Sequence, residues 1–145
     1  MRPDPVLVAA AVAFAGASAY GSAVAARHDI PGEPFGISIP LSVPTGLVVG
    51  CGAGVAAPWP MPVTALTAAL YTGRTHRSGV PGVICSFLGL CCIAGTLVEP
   101  VTYRPGSWTL HVRAAIGLNI VASILLTAAG RRSSRVGRRR PAPCV

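Results

Sequence analysis

Residues 80–98, "VPGVICSFLGLCCIAGTLV", carry no charged side chain and are about as long as a membrane-spanning helix, which needs roughly 20 apolar residues. On an α-helix, small or polar residues of this stretch fall on one face and bulky residues on the other. The small face holds Cys85, Gly89, Cys92 and Thr96, and the bulky face holds Phe87, Leu90, Cys91 and Val98. Helices in membranes pack through small residues, because these let two backbones approach closely. The stretch therefore predicts a transmembrane helix whose small face contacts other helices.

The overall composition is typical of a membrane protein. Of the 145 residues, 52% are hydrophobic and only 11% are charged, a balance that soluble domains rarely reach. Three more apolar stretches are candidate spans, at residues 6–26, 45–71 and 112–130. We therefore predict an all-α fold, a polytopic integral membrane bundle of four transmembrane helices within residues 1–130. All twelve basic residues are arginine, which indicates GC-rich codons and a bacterial source.

The arginines predict the orientation of the bundle and one of its partners. With both termini in the cytoplasm, nine arginines lie inside the cell and three outside, in agreement with the positive-inside rule. Six follow the last apolar stretch in a tail, residues 131–145, for which we predict disorder: Arg131, Arg132, Arg135, Arg138, Arg139 and Arg140. Such a cluster is typical of contact with anionic lipid head groups. We predict no nucleic-acid partner, because removing these six charges from the net charge of +8 leaves only +2.

The first apolar stretch has two interpretations. Small residues at every fourth position would give a retained helix a smooth face for a neighbouring helix: Ala9, Ala13, Ala17, Gly21 and Ala25. The Ala-rich core and the small residues of "SAVAA" are also typical of a secretory signal peptide with its cleavage site. Asp4 weakens the second interpretation, since a signal peptide begins with positive charge. We predict a retained helix, with cleavage as the alternative.

Prolines interrupt the second apolar stretch. Pro58, Pro60 and Pro62 in "PWPMP" remove amide donors and disfavour a helical conformation of each preceding residue. The parts on either side are too short to cross the membrane alone, so we predict one helix broken at these prolines. Non-helical backbone at membrane depth must be satisfied by protein or trapped water, and such breaks are common at transporter binding sites. The alternative is a proline cluster at the membrane interface, anchored by Trp59.

Residues 35–44, "FGISIPLSVP", alternate apolar and polar positions, a pattern typical of an extended segment. Proline at two of the polar positions excludes an interior sheet strand. The pattern predicts an extended flap over the ends of the helices, and an apolar linker is the alternative.

Glu99 follows the third apolar stretch directly and is one of only four carboxylates in the chain. A carboxylate at a helix C-terminus is disfavoured by the helix dipole and costly to bury unpaired, so we predict Arg104 or Arg113 as its partner. The fourth stretch contributes Asn119, the only amide side chain in any span, which needs a hydrogen-bond partner in hydrocarbon. Two roles for Glu99 stay open: an ion pair that clamps two helices, and a proton or cation site.

Two functions from different classes follow from these features. The first is a structural or accessory role, in which small-residue faces mediate association with a second copy or a larger membrane complex. The second is binding or transport of a small apolar or cationic ligand at Glu99, Asn119 and the three prolines. No span has a charged residue near its centre, as coupled transporters usually do, so we favour the first function. The five cysteines show no CxxC or Cys/His spacing; we predict no metal and no cofactor, and rank enzymatic activity third.

Overall fold

Five α-helices make up most of the described structure. The computed structural model describes residues 3–33, 36–37, 41–49, 55–72, 79–103 and 109–138. In chain order the helices are α1 (Pro5–His28), α2 (Val43–Val49), α3 (Pro60–Tyr71), α4 (Val80–Val98) and α5 (Leu110–Arg138). A short 3₁₀ helix, Pro100–Tyr103, follows α4. The predicted all-α fold class is confirmed.

Three of these helices are long and apolar enough to cross a membrane: α1, α4 and the stretch Leu110–Val136 of α5. They indicate a multi-pass membrane protein. With 7 and 12 residues, α2 and α3 are each shorter than the roughly 20 residues that a span requires. They overlap the predicted second span, although α2 begins two residues before residue 45, and the non-helical residues 55–58 lie between them.

Local sequence signals set both ends of α1. Asp4 caps the first turn, because its carboxylate accepts hydrogen bonds from the amides of Val6 (3.0 Å) and Leu7 (3.5 Å). Pro5 suits the first helical position, where no amide donor is needed. The helix ends at Asp29, which adopts a left-handed conformation (φ 49°) and donates its amide to the Ala25 carbonyl.

The buried face of α1 differs from the predicted stripe of small residues. Ala17, Gly21 and Ala25 are buried, but Ala9 and Ala13 are exposed. The buried positions advance by steps of three and four residues: Leu7, Ala10, Ala11, Phe14, Ala17, Ser18, Gly21, Val24 and Ala25. A step of four drifts by about 40° around a helix of 3.6 residues per turn, whereas alternating steps of three and four stay on one side. The face that α1 turns toward the bundle is therefore a heptad face.

Four helices form a ring in which each packs against two others. α5 packs against both α1 and α4, and α3 also packs against both α1 and α4. We call the end of this ring that holds Pro5, Val80 and Arg131 the arginine end. The opposite end, which holds His28 and Leu110, is the Glu99 end.

The core at the arginine end draws on all four helices of the ring. Its buried members include Leu7, Phe14, Ala65, Ala69, Cys85, Leu126 and Ala129. The Cys85 thiol donates to the Ala65 carbonyl at 3.6 Å, which links α4 to α3. This shared core holds the short helix α3 beside the longer ones.

The backbones of α4 and α5 approach each other closely at glycines. A Cβ atom on Gly82 would lie 2.5 Å from the Gly130 carbonyl oxygen, and one on Gly130 would lie 2.5 Å from that of Gly82. One on Gly89 would lie 2.6 Å from the Ser123 carbonyl oxygen. No side chain fits at such distances, so this contact depends on glycine.

The two faces predicted for α4 are confirmed. Cys85, Gly89 and Cys92 are buried, whereas Phe87 is 64% exposed and Leu90 is 44% exposed. The buried face is the one that contacts α5 and α3, so the bulky face remains for lipid.

α5 is longer than the predicted fourth span. It continues beyond Gly130 to Arg138, through residues for which we predict disorder from composition. No proline interrupts this stretch, and Ser133 and Ser134 are buried next to Gly82 at the beginning of α4. Packing against α4 therefore extends the helix past the apolar sequence.

Two of the three prolines lie inside a helix. Pro60 and Pro62 occupy the first turn of α3, where the amides have no partner within the helix and proline is tolerated. Pro58 alone lies in the non-helical segment before it. The prolines therefore begin α3 as well as mark the break.

The extended conformation predicted for residues 35–44 is wrong at Gly36, which has a φ of 76° and donates its amide to the Glu33 carbonyl at 2.8 Å, and at the end of the segment. Val43 and Pro44 belong to α2. Residues 35 and 38–40 lie outside the described residues, so the extended conformation stays a prediction for them.

Candidate functional site

A non-helical segment, residues 55–58, precedes α3 and is buried inside the bundle. Val55, Ala56 and Ala57 are at most 8% exposed. The Trp59 amide donates to the carbonyl of Leu47 in α2 at 3.0 Å, so the chain returns to α2 before α3 begins. The segment packs with residues of α1, α2 and α5, which include Val24, Ala25, Leu47, Val112, Ala115 and Ile116. α2 and this segment therefore contact α1 and α5 toward the Glu99 end, as α3 contacts α1 and α4 toward the arginine end.

Asn119 satisfies the non-helical backbone. Its side chain is 2% exposed, and Nδ2 donates to the Val55 carbonyl at 2.6 Å and to the Ala115 carbonyl at 3.2 Å. Gly21 of α1 faces the same point, where a Cβ atom would lie 2.8 Å from Asn119 Nδ2 and would also collide with the Val55 carbonyl oxygen. A backbone carbonyl without a helical partner is costly in an apolar interior. Asn119 supplies that partner, and Gly21 leaves the room for it.

Two polar atoms near this contact have no hydrogen-bond partner in the described structure. They are Asn119 Oδ1 and Ser123 Oγ, which lie one turn apart on the buried face of α5. The Asn119 side chain therefore uses only its donor side, which is the side that the Val55 carbonyl requires.

The non-helical segment, residues 55–58, lies inside the bundle, at some distance from the Glu99 end. Asn119 is nine residues into α5, about 14 Å from its beginning, and Gly21 is seven residues before the end of α1, about 10 Å from it. For comparison, α4 with its 19 residues is about 28 Å long. The non-helical carbonyl of Val55 thus lies a third to a half of a span length from the Glu99 end.

Glu99 lies in a separate pocket at the Glu99 end. It ends α4 in an extended conformation, is only 8% exposed, and its Oε2 accepts a hydrogen bond from the Glu33 amide at 3.0 Å. The pocket has a volume of about 260 Å³ and is lined by Asp29, Ile30, Pro31, Glu33, Glu99, Pro100 and Val101. Three of the four carboxylates of the chain therefore border one small cavity.

Burial raises the pKa of Glu99 above its ordinary value, because the ionised form is poorly solvated there. The hydrogen bond from the Glu33 amide lowers this pKa, and the negative charge of the Glu33 side chain raises it. Desolvation is the largest of the three effects, so the neutral form is favoured more than in a solvated glutamate.

The predicted site residues fall in different places. Asn119 adjoins the segment that ends at Pro58, and it does not line the pocket of Glu99. Arg113 is exposed in the first turn of α5, and Arg104 lies outside the described residues. An ion pair between Glu99 and either arginine stays a prediction. The amide of Glu33, which the residue pattern did not indicate, is the partner that the structure gives to Glu99.

The described residues contain no group of three or more His, Cys, Asp or Glu side chains that could hold a metal ion. The three carboxylates of the pocket therefore surround a space rather than a compact coordination site. At the same end, the Tyr20 hydroxyl and His111 Nδ1 lie 3.1 Å apart and join α1 to α5.

No known protein family, curated protein or solved structure matches this chain. Its class therefore follows from the helices themselves, which indicate a multi-pass membrane protein.

Proposed function

We propose that this chain is a small bacterial membrane protein that acts as a structural or accessory subunit. Its four membrane-embedded segments are α1, α4, α5 and the broken pair of helices α2 and α3. It associates with a second copy of itself or with a larger membrane complex. Both termini lie in the cytoplasm, consistent with the distribution of arginines. The observation that carries the proposal is the exposed face of α1.

The face of α1 that points away from the bundle consists largely of small residues. Its exposed members include Ala9, Val12, Ala13, Gly16, Ala19 and Ala23. At Gly16, the described part of the chain places no atom within 4 Å of the position of a Cβ atom. The exposed faces of α4 and α5 are bulky instead, with Phe87, Leu90, Leu97, Leu118, Val121 and Leu125. Small-residue faces support close helix association in membranes, whereas bulky faces suit lipid. α1 is therefore the helix best suited to contact a further helix.

Glycine substitutions test this proposal with matched controls. Gly16, Gly95 and Gly117 lie on α1, α4 and α5, and at each the Cβ position is clear of every described residue. Gly16→Leu fills the proposed contact without touching the protein's own core. We expect it to weaken association in liposomes, measured by energy transfer between labelled copies, by about tenfold, or about 1.4 kcal/mol. Gly95→Leu and Gly117→Leu should leave association unchanged.

The same variants decide between the two kinds of partner. If the protein does not self-associate, chemical cross-linking in native membranes should trap a different polypeptide through α1, and Gly16→Leu should reduce that product. Equal effects of all three leucine variants would contradict an association face on α1.

A second candidate function is binding of a small cationic ligand at the Glu99 end. The pocket bordered by Asp29, Glu33 and Glu99 favours it, because it combines about 260 Å³ of space with a nearly buried carboxylate. Tetramethylammonium is a suitable probe, since it is too large for a compact metal site. Binding measured by calorimetry should be lost in Glu99→Gln and retained in Asp4→Asn, which removes the one carboxylate outside the pocket. Loss in both variants, or in neither, would count against this function.

A further inference from the structure

The arginine end carries an open groove of about 640 Å³. One wall is a continuous face of α5, because Ile124, Ala128, Arg131 and Arg135 follow at steps of three or four residues. Ile93 of α4 contributes to the opposite side, and Thr127, Arg132 and Val136 of α5 complete the lining. The three positive charges of the lining lie toward the end of α5, where Val136 is an apolar neighbour, and Ile93, Ile124 and Ala128 form the apolar part.

No carboxylate of the described structure neutralises these arginines. Asp4, the acidic residue at the arginine end, uses its side chain to cap α1. Asp29, Glu33 and Glu99 line the pocket at the opposite end. The groove therefore has an uncompensated charge of +3 in its exposed part, from Arg131, Arg132 and Arg135.

The groove runs from membrane depth to the membrane surface. Gly130 contacts Gly82 near the beginning of α4, so the arginines that follow Gly130 lie level with the end of that apolar helix or beyond it. From Ile124 to Arg135, α5 advances by about 16 Å. The apolar part of the groove thus lies where acyl chains are, and the arginines lie where head groups are.

We propose that this groove binds one molecule of an anionic phospholipid. The phosphate-bearing head group is held by Arg131, Arg132 and Arg135, and an acyl chain lies along Ile93, Ile124 and Ala128. Arginine offers planar pairs of N–H donors that match the oxygens of a phosphate group. Basic pockets between transmembrane helices on the cytoplasmic side are suited to anionic head groups. A zwitterionic lipid would leave the net positive charge uncompensated, so the site selects anionic lipid.

Native mass spectrometry of the full-length protein tests this proposal. The protein is equilibrated in mixed micelles that contain equal amounts of phosphatidylglycerol and phosphatidylcholine, and lipid retained after activation is counted. We expect one phosphatidylglycerol molecule to be retained by each chain. Replacing Arg131, Arg132 and Arg135 together by glutamine should weaken its binding about fivefold for each arginine, on the order of 100-fold in all.

A second triple variant controls for charge alone. Replacing Arg138, Arg139 and Arg140 by glutamine removes the same three charges from a later part of α5 and the residues after it. It should change the affinity by less than about fivefold, because the proposal assigns the head group to Arg131, Arg132 and Arg135, and salt screens attraction from charges further along the chain. Equal losses in the two triple variants would overturn the proposal in favour of diffuse attraction to the membrane surface.

Two further measurements test the acyl part of the site. Ala128→Trp fills the groove and keeps every charge, so phosphatidylglycerol should be lost although the arginines remain. Ala94→Trp places the same side chain on an exposed position of α4 away from the groove lining and should have no effect. Glycerol phosphate, which has the charge without the chains, should not displace the bound lipid. Retention of lipid by Ala128→Trp, or displacement by glycerol phosphate, would overturn the proposal.

Discussion

Replacing glycine by alanine at Gly89 and at Gly95 of α4 should change the free energy of unfolding in opposite directions. A Cβ atom on Gly89 would lie 2.6 Å from the Ser123 carbonyl oxygen and 3.1 Å from the Thr127 amide nitrogen, backbone atoms that move only if α5 moves. Overpacking costs about 1–3 kcal/mol, and this contact belongs at the upper end because no flexible side chain can yield. Part of this cost is offset, because alanine within a helix is about 0.5–1 kcal/mol more stable than glycine. Gly89→Ala should therefore lower the free energy of unfolding by about 2 kcal/mol.

Gly95 provides the matched case on the same helix. No atom of the described residues lies within 4 Å of a Cβ atom there, so only the backbone effect remains and Gly95→Ala should raise the free energy of unfolding by about 0.5–1 kcal/mol. Unfolding in mixed micelles with increasing dodecyl sulfate, followed by circular dichroism, measures both changes under one condition. A rise in stability for both variants would refute the close approach of α4 and α5 on which the fold depends.

Three other substitutions probe the buried polar groups. Asn119→Leu should lower the free energy of unfolding by about 1 kcal/mol in the same assay, because the Val55 carbonyl loses its donor. Ser123→Ala should change it by less than about 0.5 kcal/mol, since the buried hydroxyl has no oxygen or nitrogen partner to lose and the neighbouring Cys92 thiol is only a weak one. Glu99→Gln should remove the contribution of Glu99 to the pH dependence of stability. Because the pKa of Glu99 is higher in the folded chain than in the unfolded chain, the folded chain binds more protons between these two pKa values. Stability of the natural protein should thus fall as pH rises through that window, and unfolding measured from about pH 4 to pH 8 should show the variant to be flatter and more stable on the alkaline side. A natural protein that gains stability with rising pH would contradict the burial of Glu99.

The sequence predicts α4 well because its residues differ strongly in size. Gly89 and Cys92 lie on one side and Phe87 and Leu90 on the other, so the contact face and the lipid face can be told apart without a partner. The predicted bounds, 80–98, also agree with the helix.

α1 is harder to interpret because alanine and glycine occur on every side of it. A stripe at every fourth residue is then as easy to find as a heptad face, although Ala9 and Ala13 prove to be exposed. The informative residues are the bulky ones: Leu7 and Phe14, seven residues apart, are both fully buried. In a helix of small residues, the few large side chains indicate the heptad better than the small ones do.

The partners of the buried polar groups depend on chain topology, which composition does not contain. The need of Asn119 for a hydrogen bond follows from its chemistry, but the Val55 carbonyl lies 64 positions away in sequence. Charge alone favours an arginine beside Glu99, whereas the observed donor is the backbone amide of Glu33, 66 positions away. Every residue except proline has such an amide, so no sequence pattern singles this one out.

The order of the helices in the ring has a consequence for biosynthesis. The heptad face of α1 packs against α5, the helix that follows all other described helices in the chain. During synthesis α1 therefore enters the membrane well before this partner exists, and insertion must precede assembly. The hydroxyls of Ser18 and Ser22 donate within α1 itself, to the Phe14 carbonyl at 2.9 Å and the Ser18 carbonyl at 2.8 Å. Because these hydrogen bonds need no neighbour, the newly inserted helix exposes no unpaired serine hydroxyl to the acyl chains until α5 arrives.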